Sequence, residues 1–317
     1  MLRLSFEISK DSMLLPFFEY LEAIVRMKMP RKKGSEHPLS PVGFSISPDG
    51  AEFCFKSMDV YIFCQFPIFF ESDPANVFFN INPIVELSQD TQFLISSFTQ
   101  FLRSLTNLFK QDRHHVSLTL SGGDRQFREE NQGLQEKTIA SKRGRITFLK
   151  MKTRITTCFV ECLTIFPQYQ EIFDLTDQYS SFDSLKFTLS SMQVIRLSRF
   201  LLGIKSACRY FDFNVSYNIE KDTYFLVVLG TADTMVARLS ELPIQLNIEE
   251  DNSESSPLDI NVRFRSKQIS QCFLVYDHIN PHDVSTTITL NENVIVLTVE
   301  VNGARMFSTF PAYSGEE

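Results

Sequence analysis

SLKFTLSSMQVIRLSRFLLGIKSACRYF, residues 184–211, carries Lys186, Arg196, Arg199, Lys205 and Arg209 and not one Asp or Glu. The region around it is the opposite: residues 166–317 hold 11 Lys and Arg against 20 Asp and Glu, so acids are kept out of this one segment. Leu185, Phe187 and Leu189 alternate with polar residues, which predicts a strand over 185–189, and Ser190 and Ser191 then offer an N-cap. Leu197, Phe200, Leu201, Ile204 and Cys208 recur at steps of three and four and predict a helix over 191–209, with Arg199, Ser206 and Arg209 opposite the stripe. One face goes to a core and the other is cationic. Alone, such a helix reads as a solvated amphipathic face; further copies change that reading.

Three more copies follow when the chain is taken in order. Leu2, Leu4, Phe6 and Ile8 alternate as a strand, and Asp11 and Ser12 cap a helix whose buried stripe is Leu14, Phe17, Leu21 and Ile24 and which ends at Arg26 and Lys28. A loop over 30–41 leads to a hairpin in which Phe44 and Ile46 face Phe53 and Phe55 across the turn Ser47-Pro48-Asp49-Gly50, then to strands over 60–66 and 77–81. Ser88 to Asp90 open a second helix with Leu94, Phe98, Phe101, Leu105 and Leu108 on its stripe and Arg103 and Lys110 on its far side. Strands follow over 116–120, 146–150 and 155–165, the first two separated by a polar loop over 121–144. The second half repeats the order: strand 185–189, helix 191–209, strands 211–217, 224–229 and 235–239, an acidic loop over 249–257, strand 260–264, a short helix over 265–276 bearing Arg265 and Lys267, and strands 284–290, 294–299 and 305–310. A unit of about 75 residues thus recurs four times. Glu19 and Glu22 dilute the bases of the first helix, but acids otherwise gather in loops such as Glu249-Glu250-Asp251. Four helices on antiparallel sheet, with bases on their exposed faces, make a positive wall able to hold a phosphodiester backbone without reading bases.

Composition bounds the rest. A chain of 317 residues with 43% hydrophobic residues, 31 Phe and 11 Gly is a folded protein of two domains or one large one. A net charge of −7 argues against wholesale coating of nucleic acid and leaves a local basic surface as the route to phosphate. The six cysteines are scattered through apolar runs, as buried thiols in a reducing compartment are. Glu7 and Asp11 interrupt the first dozen residues and no 18-residue apolar span occurs, so the expectation is a soluble intracellular protein without membrane contact. Pro30-Arg31-Lys32-Lys33 reads as a basic loop or a short nuclear import signal.

No Walker loop, HExxH, GxSxG or CxxC is present, and neither a catalytic residue nor a cofactor is expected. Cys158 and Cys162 share a strand face with no second pair to complete a zinc site. His278 and His282 flank Asn280-Pro281 as in a polar turn, and His114-His115 at a helix end suit a dipole or a phosphate better than general base work. An enzyme with an unrecognised Cys–His pair and a β-rich interaction scaffold without nucleic-acid binding are the readings of a different class.

The arrangement resembles the sliding-clamp family, and within it the HUS subunit of the heterotrimeric nine-one-one DNA-damage checkpoint clamp. The likeness is carried by the opening strand and helix, Ile46-Ser47-Pro48-Asp49 before Phe53-Cys54-Phe55, and residues 154–167 closing the first half. It continues through helix 191–209 running into 211–217, Ile260-Asn261-Val262 before a short helix, and 307–311 as the final strand. It implies an α+β DNA clamp fold of two similar domains, each of antiparallel sheets with two helices on the inner face: 1–166, a connector 167–183, and 184–317. It further implies a ring with two other subunits, double-stranded DNA in its channel, a clamp loader, checkpoint and repair proteins as partners, and a place in the nucleus, in the cell cycle and meiosis. Arg26, Arg103, Lys110, Arg196, Arg199, Lys205, Arg209, Arg265 and Lys267 become the residues that face DNA. Another subunit of the same clamp, or a replication-type homotrimer, is the neighbouring alternative. The 30–41 and 121–144 loops are longer than the resemblance leads one to expect, and the connector lacks the family's peptide-binding pattern.

Overall fold

In the computed structural model, the described residues are 3–9, 14–28, 42–47, 50–57, 60–66, 68–69, 79–81, 91–95, 97–111, 115–122, 146–153, 156–163, 185–233, 235–246 and 259–315. The basic motif at 30–33, the connector 167–183, His114, and nearly all of the 30–41, 121–144 and 249–257 loops lie outside them. The chain divides into two compact units, one formed mainly by Met1–Lys56 and Phe63–Thr176, the other mainly by Asp177–Val301 and Arg305–Glu317.

In the first unit β1 (Arg3–Ser9) leads to α1 (Leu14–Lys28), then to β2 (Val42–Ser47), β3 (Gly50–Ser57), β4 (Val60–Phe66), β5 (Ile68–Phe69), β6 (Phe79–Ile81) and β7 (Thr91–Ile95). After α2 (Phe98–Gln111) come β8 (His115–Gly122), β9 (Ile146–Lys152) and β10 (Thr157–Leu163). Antiparallel pairing runs continuously through β6, β1, β8, β9, β10, β7, β2 and β3, while β5 pairs with β6 in parallel. The helices pack side by side because their apolar stripes meet at aromatic rings. Phe18 of α1 lies 4.6 Å from Phe53, 5.6 Å from Phe98 and 5.8 Å from Phe101, each edge-on, a geometry worth about 0.5–1.5 kcal/mol per pair beyond burial.

The second unit runs β11 (Leu185–Leu189), α3 (Ser191–Ile204), β12 (Tyr210–Asn218), β13 (Thr223–Thr231), β14 (Val236–Arg238), β15 (Leu242–Leu246) and β16 (Ile260–Arg265). It closes with α4 (Ser266–Cys272), a 3-10 turn (Phe273–Asp277), β17 (Ser285–Leu290), β18 (Val294–Val301) and β19 (Ala304–Pro311). Pairing runs through β16, β12, β13, β15, β11, β17 and β18, all antiparallel. Among the described residues β14 pairs with β13 and no other strand, and it leaves Val236 70% exposed.

The two units are built on one plan. In each, the opening strand pairs with the strand after the second helix (β1 with β8, β11 with β17), and the strand before the second helix pairs with the strand after the first (β7 with β2, β16 with β12). Each half-unit is therefore a strand, a helix and a hairpin whose first strand pairs with the opening strand of its twin. The architecture is α+β, antiparallel sheet with two helices per unit.

Two element boundaries and one whole strand depart from the sequence expectation. Residue Leu94 belongs to strand β7, and α2 starts only at Phe98, its first intrahelical bond being Phe101 N–H to Ser97 O at 3.0 Å. Helix α3 stops at Ile204 instead of 209, since 205–207 tighten into a turn in which Ala207 N–H and Cys208 N–H both reach Ile204 O. Strand β15 was not expected at all.

Candidate nucleic-acid interface

Helix α3 is fixed at both ends. Ser190 is its N-cap in a capping box, where its backbone N–H donates to Gln193 Oε1 at 2.7 Å and its hydroxyl accepts from Gln193 N–H at 3.4 Å. Buried Val194, Leu197 and Leu201 hold one face against the sheet. Met192, Arg196, Arg199 and Gly203 follow at helical spacing on the exposed face, continued past the helix end by Ser206.

At the C-terminal end the carbonyls of Lys205 and Cys208 accept from the Ser266 hydroxyl at 3.1 and 2.6 Å, and Ser270 Oγ donates to Leu201 O at 3.3 Å. The start of α4 thus satisfies carbonyls that a helix end leaves unpaired. Those bonds also bring two basic pairs together. Arg209 N–H donates to Thr231 O at 2.8 Å and its carbonyl accepts from Ser266 N–H at 3.1 Å, which locks it beside Arg265 and Lys267. The result is a surface cleft of about 320 Å³ lined by Lys205, Ser206, Cys208, Arg209, Tyr210, Arg265, Ser266 and Lys267, with four bases and no acid.

An aromatic and guanidinium stack borders this cleft. Tyr210 and Tyr313 lie 4.8 Å apart; Arg209 and Arg263 stand 5.3 and 5.6 Å from the Tyr210 ring, and Arg265 is 5.4 Å from that of Tyr313. The hydrogen bond to Tyr210 pushes the Tyr313 phenol up, ahead of burial, so it remains a neutral hydroxyl. Arg263 is spoken for: its Nε and Nη2 donate to the two carboxylate oxygens of buried Asp212 at 2.6 and 3.2 Å.

In the first unit, exposed Gln100, Arg103, Asn107 and Lys110 form a polar stripe along α2 opposite Phe98, Phe101, Leu105 and Leu108. Arg26 on α1 is exposed but ion-paired with Glu22 one turn earlier, with Glu19 exposed nearby, so that helix presents no net positive face. Of the nine expected site residues, Lys205, Arg209, Arg265 and Lys267 therefore meet in one cleft, while Arg196 and Arg199 extend it along α3. Arg103 and Lys110 form a separate stripe, and Arg26 is compensated. Sequence reasoning passed over Tyr210, Tyr313, Asp212 and Ser266, which no local pattern joins.

The described residues contain no group of three His, Cys, Asp or Glu able to hold a metal ion. His278 and His282 are exposed in a turn that Asn280 closes by accepting from His282 N–H at 3.2 Å and Asp283 N–H at 3.0 Å. No helix among the described residues is long and apolar enough to cross a membrane.

No family model matches this sequence, and no curated protein does. Solved structures do match. The DNA polymerase sliding clamp from Bacillus subtilis covers 100% of this chain at 13% identity with a TM-score of 0.58, and the C. crescentus beta sliding clamp covers 99% at 14% identity with 0.54. The chain spans just under two thirds, 66%, of the length of each. Proliferating Cellular Nuclear Antigen from Entamoeba histolytica matches over 98% of both chains at 10% identity with a TM-score of 0.54. The chain has the sliding-clamp fold.

Proposed function

We propose that this chain is a non-catalytic subunit of a ring-shaped clamp that encircles double-stranded DNA, and within that class the HUS-type member of a heterotrimeric checkpoint clamp acting at damage in the nucleus. Domains 1–166 and 184–317, joined by the connector 167–183, form the subunit. Two other clamp subunits complete the ring, an ATP-driven loader opens it, and checkpoint and repair proteins dock on it. The observation that carries the reading is the acid-free cleft at the end of α3, continuous with Arg196 and Arg199, in a molecule whose net charge is −7. Four like charges converging on one cleft repel one another, so the cluster favours a polyanionic partner that relieves the repulsion. Among the described residues β14 pairs with β13 alone, and its other edge supports contact with a neighbouring subunit.

The deciding experiment compares retention of the loaded complex on nicked circular and linearised DNA. A ring stays on the circle and slides off free ends; equal retention on both removes the encircling mechanism. In the same assay Arg196→Glu with Arg199→Glu weakens binding and lowers its salt slope by about 2, with an unchanged melting temperature. Near-equal length to the Entamoeba histolytica protein favours a replication-type homotrimer as the second reading. The native mass of the complex purified from cells separates the two, because a homotrimer contains three copies of the 36.6 kDa chain and nothing else.

A further inference from the structure

Gly230 is explained by its surroundings: a Cβ there would stand 2.7 Å from the Cys208 sulfur and 3.0 Å from Ile204 and Phe211. Gly203 has no such explanation within the chain. It sits in the last turn of α3, outside the left-handed region, exposed, and a Cβ on it would meet nothing within 4 Å. A glycine inside a helix weakens it relative to alanine. Neither a left-handed cap nor a tight internal contact offsets that loss here, so the missing side chain leaves room for something outside the chain.

Its position says what that is. Gly203 lies four residues after Arg199 and seven after Arg196, on their exposed stripe and two residues before Lys205 at the mouth of the basic cleft. At 1.5 Å per residue, Arg196 to Gly203 spans about 10 Å of helix. The bare glycine is thus flanked on both sides by cations, in a segment, 184–211, that holds no acid. We propose that a phosphodiester backbone crosses α3 over Gly203, lying against the helix main chain between Arg199 and the cleft that seats one of its phosphates. This rests on the polyanion-binding reading above and adds a positioning residue to it, one that acts by its size and not by charge.

The test is a size series, Gly203→Ala, Gly203→Gln and Gly203→Leu, in the full chain with whatever subunits co-purify. Binding of a fluorescent DNA duplex is measured across a range of salt, and melting is followed in parallel. All three substitutions are expected to raise the melting temperature by about 2–4 °C, which shows the fold intact. Gly203→Leu weakens binding about tenfold and Gly203→Ala less than about threefold, with the salt slope unchanged because no phosphate contact loses its charge. Arg196→Glu with Arg199→Glu runs alongside and lowers the slope. If Gly203→Leu binds as tightly as the parent chain while the arginine pair loses affinity, the crossing point is wrong and the basic face stands. If neither changes binding, the proposal falls together with the reading beneath it.

Discussion

Asp212 takes one cation, Arg263, out of the basic surface. It lies opposite Arg263 in the β12–β16 register, is 7% exposed, and accepts from Nε and Nη2 of that guanidinium while Arg263 stands over Tyr210. Asp212→Asn keeps the shape and removes the charge, so two effects of opposite benefit follow. Urea unfolding should show a loss of about 1–2 kcal/mol from the weakened charged hydrogen bonds, and DNA affinity and its salt slope should rise as Arg263 joins the cations next to the cleft. A drop in both would mean that Asp212 organises the site instead of restraining it. This pairing could not be read from the sequence, where the two residues are 51 positions apart and only strand register brings them together. The same holds for Tyr210 and Tyr313. What was legible was local: Arg196 and Arg199 facing away from Leu197 and Leu201 follows from helical spacing alone, whereas Arg209, beyond the end of α3, is placed by its backbone bonds to Thr231 and Ser266.

Among the elements, α3 is the one whose orientation carries most of the functional argument, and adjacent residues test it. Leu197 is fully buried and Arg196 exposed. Leu197→Ala should cost about 2–5 kcal/mol in chemical denaturation through the cavity it leaves, and Arg196→Ala should stay within about 0.5 kcal/mol of the parent. Comparable losses would mean that the helix is rotated. Periodicity finds both α2 and α3 but misses the start of the first and the end of the second, for identifiable reasons. Leu94 continues the three-and-four spacing of Phe98 and Phe101 even though it lies in strand β7, so a strand and a helix in series imitated one longer helix. At the C-terminal end of α3, the Ile204 carbonyl takes two N–H donors in a turn that no hydrophobic pattern announces. Strand β15 alternates buried and exposed residues, but it is short and holds Pro243, a residue that strands carry mainly at edges. Its proline pairs opposite Phe225 and its carbonyl accepts from Gln193 of α3, a use that only the folded sheet reveals.

For the whole molecule, the fourfold recurrence of strand, helix and hairpin was visible because each unit repeats its hydrophobic period, although the side chains have diverged. The pairing of β1 with β8 and β11 with β17 gives that recurrence its physical form: each half-unit finishes its sheet by borrowing a strand position from its twin. Among the described residues β14 is one strand that this completion does not reach, since it pairs with β13 alone. With Val236 bare and Met235 37% exposed beside it, the proposal that this chain is one subunit of a ring implies that, produced by itself, it offers an edge whose main-chain donors and acceptors can take up an extended peptide. Such a chain should enter large aggregates in size-exclusion chromatography at high concentration and become monodisperse when its companions are co-expressed. Val236→Lys would place a charge on that ledge, in the way natural proteins guard such ledges, giving a well-behaved monomer that no longer assembles.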